Sequence, residues 1–463
     1  MSPPTPIRAT ALIAPIVLVL TVCGCAVYAN LSFAVTNPSD YRYFPPFERN
    51  VNANSNHHLG AEYFNIARSL VRGRGFSSPF GEQTGPTAWM PPVLPGILAG
   101  LLWACDGDRD AVMAVVIFFQ VTVLIGTGLL VLALAGQTSR WAGAVAAAAY
   151  FVGLLYHFRL CFQTTHDCWL VLLALDLLIA WACWGSPLRR RWTAAGWGLF
   201  GGFCALVNPM VALAWGVFSL VSGVRQRAWF PLGMALLIGG LTLIPWAVRN
   251  YLVFGRWVPV KSNLAYELYQ SQCLQPDGLI QNKTFATHPY GSASRERQEY
   301  KALGEMAFLD HKQEQFRAAV WADPLDFLDR AACRFLGATL WYEPFDRAGE
   351  AKKPWVLWLS RLAHPLPFLG FLVLTLTAVW RRLTPAQWVV IGAYLLYLLP
   401  YVAVSYYERY AVPLVGVKVL LVLWAGGRLL SFLVGKGVES DGPAQASPPA
   451  RAPRRTRAVS VSQ

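Results

Sequence analysis

Charge is what this chain is short of. Only 14% of its residues are Asp, Glu, Lys or Arg, while 55% are hydrophobic. So few charges cannot cover the surface of a 463-residue soluble fold, which excludes an ordinary soluble globular protein and selects a membrane protein. Acids are scarcer than bases, 25 against 39, for a net charge of +14. No basic stripe interleaved with aromatics lies outside the hydrophobic segments, so nucleic acid is not an expected partner. The positive excess reads instead as cytoplasmic loops. The chain also lacks a CxxC pair, a His-rich metal spacing and a convincing internal repeat. Most of its nine cysteines sit in apolar runs; Cys273 and Cys333 are the two that could face an oxidising compartment and pair.

What is present is a series of apolar runs. The first, 11–35, is long enough at ~20 residues to cross a bilayer and reads as an uncleaved signal anchor behind Arg8. Further spans are expected at 110–136, 141–158, 168–184, 195–207, 210–222, 228–248, 355–380, 387–404 and 410–434, with Pro209 breaking one over-long run into two. The run 93–105 is short and begins in prolines, and is taken as a surface or re-entrant helix. With it outside the count, Arg140, Arg189, Arg190, Arg191, Arg225, Arg227, Arg381 and Arg382 all fall on one side, as positive-inside bias requires. The expectation is ten spans in the plasma (inner) membrane with both termini cytoplasmic. It divides the chain into an N-terminal membrane module, 1–249, with its first outer loop at 36–109; an outer domain, 250–354; C-terminal membrane helices, 355–435; and a disordered basic tail, 436–463.

The polar stretch 54–92 organises the rest. Tyr63, Ile66, Ala67 and Leu70 share one face of a short amphipathic helix, stopped by Gly73 and Gly75. Glu62 stands at its start behind His57 and His58. A carboxylate at the water–lipid boundary can act as a general base, and can equally be a solvated first-turn residue favoured by the helix dipole. Asp167, beside His166, precedes the run Cys-Trp-Leu and reads as a site carboxylate or as a helix N-cap. Arg249, Arg256 and Lys261 after the seventh span, and Arg409 near the last, are either phosphate ligands or interfacial anchors beside Trp246 and Tyr251. Asp176 and Lys418 fall inside spans, where an unpaired charge is costly, and could pair. Asn282 opens an N-K-T glycosylation sequon.

Three strings carry a resemblance. Y-F-N-I-A-R-S-L-V-R-G-R-G-F from Tyr63, with P-T-A-W-M-P-P-V-L-P from Pro86, resembles the first outer loop of the C-type membrane glycosyltransferases, the GT-C superfamily that includes protein O-mannosyltransferases and aminoarabinose transferases. P-W-A-V-R-N-Y-L-V-F-G from Pro245 and E-R-Y-A-V-P from Glu408 are similar to later segments of the same superfamily. The superfamily's acid stands three or four residues before the Tyr, where this chain has Gly60 and Leu59; Glu62 directly precedes it instead.

The resemblance implies an all-α polytopic membrane protein: a GT-C-like bundle of about ten transmembrane helices, surface helices in the first outer loop, and a small, partly helical outer domain. It implies an inverting glycosyltransferase that moves a sugar from a polyprenyl-phosphate donor to a lipid, glycan or protein hydroxyl on the outer face. Glu62 and Asp167 are then the catalytic carboxylates, Arg249, Arg256 and Arg409 the donor-phosphate ligands, and His57, His58, His166, Tyr63 and Lys261 accessory residues. No metal ligand set and no definite cofactor are assigned; some members work through a divalent metal, which the resemblance leaves open here. The alternatives are a transporter or flippase of a lipid-linked anion, or a catalytically inactive relative.

Overall fold

The computed structural model of the protein describes residues 10–36, 59–81, 84–135, 140–162, 167–291 and 293–433. His57, His58, His166 and the 436–463 tail lie outside them. The chain forms α1 (Thr10–Thr36), α2 (Ala61–Val71), α3 (Val93–Ala104), α4 (Arg109–Leu134), α5 (Arg140–Tyr156), α6 (Phe158–Phe162), α7 (Cys168–Trp184), α8 (Arg191–Val207), α9 (Pro209–Gln226) and α10 (Trp229–Phe254). The polar insert supplies α11 (Leu264–Cys273), α12 (Arg295–Leu303), α13 (Glu305–Ala322), α14 (Pro324–Thr339) and α15 (Arg347–Glu350). The chain then continues with α16 (Pro354–Ala363), α17 (Leu366–Leu376), α18 (Pro385–Val404) and α19 (Val415–Leu433). Among the described residues the only β pairings are two isolated bridges, Ser77 with Pro86 and Leu279 with Tyr406.

The protein is an all-α polytopic membrane protein. Six helical stretches are long and apolar enough to cross a bilayer: 12–29, 109–134, 229–254, 354–379, 385–404 and 408–433. Helix α3, at 12 residues, is ~18 Å long against a hydrocarbon core of ~30 Å, and it packs beside α2.

Local chemistry sets the helix ends. The Asp108 carboxylate accepts from the Asp110 and Ala111 amides and starts α4. Asn208 sits between α8 and α9, accepts from the Met210 amide at 2.9 Å, and is followed by a proline that suits a first helical position. The break expected at Pro209 therefore forms. Helices α8 and α10 touch backbone to backbone: a Cβ on Gly198 would lie 2.4 Å from the Ala235 carbonyl oxygen, and one on Gly202 would lie 2.7 Å from that of Gly239. Small residues four apart allow this close approach.

Two expected spans differ from the sequence reading. The run 355–380 is not one helix but α16 and α17, separated at His364-Pro365, because proline lacks the amide and clashes with the preceding turn. Helix α10 does not stop at Val248; it carries Arg249 and Asn250 and closes at Gly255, whose φ of +67° suits glycine.

The first loop and the insert share a second core apart from the membrane bundle. Phe80 and Trp89 pack against Tyr266, Tyr269, Tyr300 and Phe308. Phe80 meets Trp89 and Tyr300 edge-on, with both centroid separations 4.9 Å. Trp321, at the far end of α13, is exposed. Cys273 and Cys333 are free thiols and do not pair. Nor do Asp176 and Lys418: Asp176 accepts from Thr127 at 2.5 Å, and Lys418 lines a separate cavity with His157 and His364. A hydroxyl one helix away meets the aspartate's need without a distant ammonium.

Candidate active site

Helix α2 buries Tyr63, Ile66 and Ala67 of the face expected from its spacing, with Phe64 beside them; Leu70, the fourth residue of that face, is half-buried, and Arg68 and Arg72 are exposed. That burial turns Glu62, in its first turn, toward a cavity of about 50 Å³. The cavity is shared by chain segments far apart in sequence: Glu62 and Tyr63 from α2, Trp89 from the first loop, Glu267 from α11, Ile280 and His288 from the rest of the insert, and Arg409 from the short 3-10 helix Glu408–Leu414.

Asp167 joins from the start of α7. It does not cap that helix; its carboxylate accepts a 3.0 Å hydrogen bond from the Tyr63 hydroxyl and lies 4.0 Å from an Arg409 Nη. A cap needs the residue extended, and Asp167 has helical backbone angles, φ −87° and ψ −11°, so the side chain points elsewhere. Burial, with the Asp167 carboxylate beside it, pushes the Tyr63 phenol well above its ordinary value, so it remains a donor.

Burial also raises the Glu62 carboxyl. Its own backbone amide and Arg409 oppose that shift, while Glu267 and Asp167 add to it. A carboxyl raised in this way titrates nearer neutrality, as a general acid or base should.

Glu267 was not singled out in the sequence. It sits inside a polar helix, L-A-Y-E-L-Y-Q, with no motif around it, and only the packing of α11 against α18, with the Tyr410 hydroxyl 3.5 Å from its carboxylate, reveals it. Its carboxylate accepts from Ser405 at 2.7 Å and from Asn263 at 3.2 Å. His288 lines the same cavity as a ring held neutral, its pKa lowered to about 3 by burial.

Arg249 and Arg256 do not line this cavity. The Arg249 guanidinium donates to the carbonyls of Thr87 (2.7 Å) and Phe76 (2.6 Å) and to Asn250 Oδ1 (2.9 Å), under the Phe76 and Trp246 rings. It fastens the first loop to α10. Arg256 makes a bidentate pair with Asp310 at 2.9 and 2.8 Å on the exposed surface. Lys261 is half-buried and does not line the cavity either. Asn282 is exposed at the start of a 3-10 helix.

Among the described residues, no three or more His, Cys, Asp or Glu groups stand close enough together to hold a metal ion.

Another carboxylate, Glu305, ties the first loop to the insert. It accepts from Thr87 Oγ1, from the Ala88 amide (2.7 Å), from the Tyr300 hydroxyl (2.8 Å) and from Ser262 Oγ (2.8 Å). This staple holds Trp89 at the cavity wall.

No family model matches the chain, and no curated protein does. Among solved structures it is similar to the archaeal oligosaccharyltransferase AglB from Archaeoglobus fulgidus, in complex with an inhibitory peptide and a dolichol-phosphate, at 11% identity and a TM-score of 0.47. The similarity covers 94% of this chain and 53% of that one, so the chain spans about half the length of that protein.

Proposed function

We propose that the protein is an inverting membrane glycosyltransferase that uses a polyprenyl-phosphate-linked sugar on the outer face of the membrane. The observation that carries this reading is the convergence of Glu62, Asp167 and Glu267 with Arg409 around one cavity at the end of an apolar bundle. Four segments more than 60 residues apart from one to the next supply them, which a solvated surface would not require.

The roles follow from surroundings. Glu62, raised by burial and facing the cavity, takes the proton of the acceptor hydroxyl. The acceptor oxygen attacks the anomeric carbon from the side opposite the leaving group. The bond from that carbon to the phosphate oxygen breaks, and the phosphate departs with the electron pair toward Arg409. Asp167 holds Arg409 and Tyr63 in place. Glu267 and Gln270 offer hydrogen bonds to sugar or acceptor hydroxyls, and Trp89 a face for packing.

The decisive experiment incubates the purified protein with radiolabelled polyprenyl-phosphate sugars and membrane extracts and follows label into product. Transfer that Glu62→Gln abolishes supports the reading; no transfer with any donor tested sinks it. The membrane face is tested by labelling single cysteines at positions 167, 190 and 282 in a background lacking the native thiols. Positions 167 and 282 should react from outside and 190 from inside. Reaction of 167 and 190 from one side would reverse the ten-span arrangement.

A further inference from the structure

Helix α14 is built the wrong way round for a helix bathed in water, which would turn its apolar face to the core and its charges to solvent. Here most of the charges turn inward. Arg334 is fully buried and donates to the carbonyls of Val402 (2.7 Å) and Ala403 (3.2 Å) in the last turn of α18. Arg330 pairs with Asp326 at 2.7 Å and donates to the Gln275 carbonyl. The leucines turn outward: Leu325 is 75% exposed, Leu328 60% and Leu336 45%, with exposed Ala332 on the same side. At ~100° per residue these four lie on the face opposite Arg334. Of the exposed residues of α14 only Asp329, at the edge of that face, is charged. Helix α13, next to it in the insert, shows the ordinary pattern. It buries Phe308 and Leu309 and exposes His311, Glu314 and Arg317, and turns apolar only at its end nearest α14, where Trp321 stands 82% exposed.

We propose that the outward face of α14 is immersed in the lipid bilayer, among the acyl chains just below the headgroups, and anchors the insert to the membrane. Position along the bundle supports this. Asp326 accepts from Gln272 at 2.6 Å, and the neighbouring Ser271 donates to the Val404 carbonyl at 2.6 Å. Asp326 and Arg334, eight residues or ~12 Å apart, are thus both tied to the end of α18, so α14 runs along the membrane boundary and not through the bilayer. Its outward face continues the surface the spans give to lipid. Phe335 meets Phe368 of α17 edge-on at 5.5 Å, one residue before the exposed Leu369. A protein-binding patch would be closed by a polar rim, whereas this face runs on into apolar surface on the α17 side. Rings and a guanidinium mark the same level: Arg361 stands 4.4 Å from the Trp341 ring centre and 5.7 Å from that of Trp358. Such groups suit the headgroup layer, and an apolar helix face beneath it is the pattern of an interfacial helix. The seating of the insert is independent of whether the chain transfers sugar.

The test uses the full-length protein in phosphatidylcholine liposomes. The photo-crosslinking residue p-benzoylphenylalanine replaces Leu325, Leu328 or Leu336 on α14, and Glu314 or Arg317 on α13, one position at a time. After irradiation, mass spectrometry scores covalent lipid adducts, and gel electrophoresis scores crosslinked dimers. Phosphatidylcholine adducts are expected from the three α14 positions and not from the two α13 positions. All five residues sit at the surface, so the fold should hold; thermal melting identifies any variant that misfolds, and the other positions on its helix then carry the comparison. Equal lipid adducts from both helices, or none from α14, overturn the proposal. Crosslinked dimers from the α14 positions also overturn it, because a second copy of the chain would then cover the face.

Discussion

Glu305 and Glu62 are both glutamates in the first turns of helices, and burial raises both carboxyls. Their surroundings separate them. Glu305 is 4% exposed and accepts hydrogen bonds from four groups drawn from the first loop and the insert. Glu62 faces a cavity in company with two other carboxylates and an arginine. A fully satisfied buried carboxylate organises structure; one left facing open space with its charge opposed by its neighbours is available for chemistry. The same residue type in the same helical position is thus assigned opposite roles by what donates to it.

Substitution should separate the two most sharply in activity. Glu62→Gln is expected to cut sugar transfer by ~10²–10⁴-fold, the usual loss of a general base, with no fall in melting temperature. Glu305→Ala should do the reverse first. It orphans the Ala88 amide and the hydroxyls of Thr87, Tyr300 and Ser262, so roughly 3–4 kcal/mol of stability should be lost, read as a lower melting temperature with weakened near-ultraviolet dichroism of the aromatic cluster. If Glu305→Ala kept its stability but lost activity, the contrast would fail.

A smaller effect sharpens the contrast. Tyr63→Phe removes the donor to Asp167 and should lower transfer about 10-fold, as the loss of a hydrogen bond to a charged group does, leaving the fold unchanged. Temperature-matched kinetics on the two proteins would show it.

The pH dependence follows from sign. The folded Glu62 carboxyl is raised above its ordinary 4.5, so the native state binds more protons there than the unfolded chain. Its contribution to stability is full below pH 4.5 and is lost as pH rises through the folded value. Transfer should rise with pH over that same window, as the base form appears. Melting curves between pH 4 and 8 should therefore fall less steeply in Glu62→Gln than in wild type. The least effect is expected from Arg256→Ala, which breaks a half-exposed ion pair worth ~0–1 kcal/mol and should leave transfer intact.

Much of the fold was legible beforehand because membranes impose simple rules. Apolar runs of spanning length, the break at Pro209, the buried face of α2 and the shortness of α3 all come from local spacing and chain geometry. The split at His364-Pro365 was present as a proline but masked by the apolar residues on both sides. The site was only partly legible. Glu62, Tyr63, Asp167 and Arg409 stand in recognisable strings and do meet, whereas Arg249 and Arg256 stand in an equally recognisable string and do not join them. A basic residue at the membrane boundary looks the same in sequence whether it holds a ligand, a backbone carbonyl or an aspartate.

By itself, then, the sequence determined what each segment is: which runs are apolar enough for lipid, where helices start and stop, and which face of α2 turns inward. These depend on neighbours within a turn or two. Only the tertiary structure decided which polar groups meet. Asp167 could have capped its own helix and instead takes a proton donor 104 residues away; Glu267, without a motif, enters the cavity because α11 packs beside α18. The physical reason is that a buried charge is stabilised by whichever donors the packing brings within about 3 Å, and sequence separation carries no information about that distance.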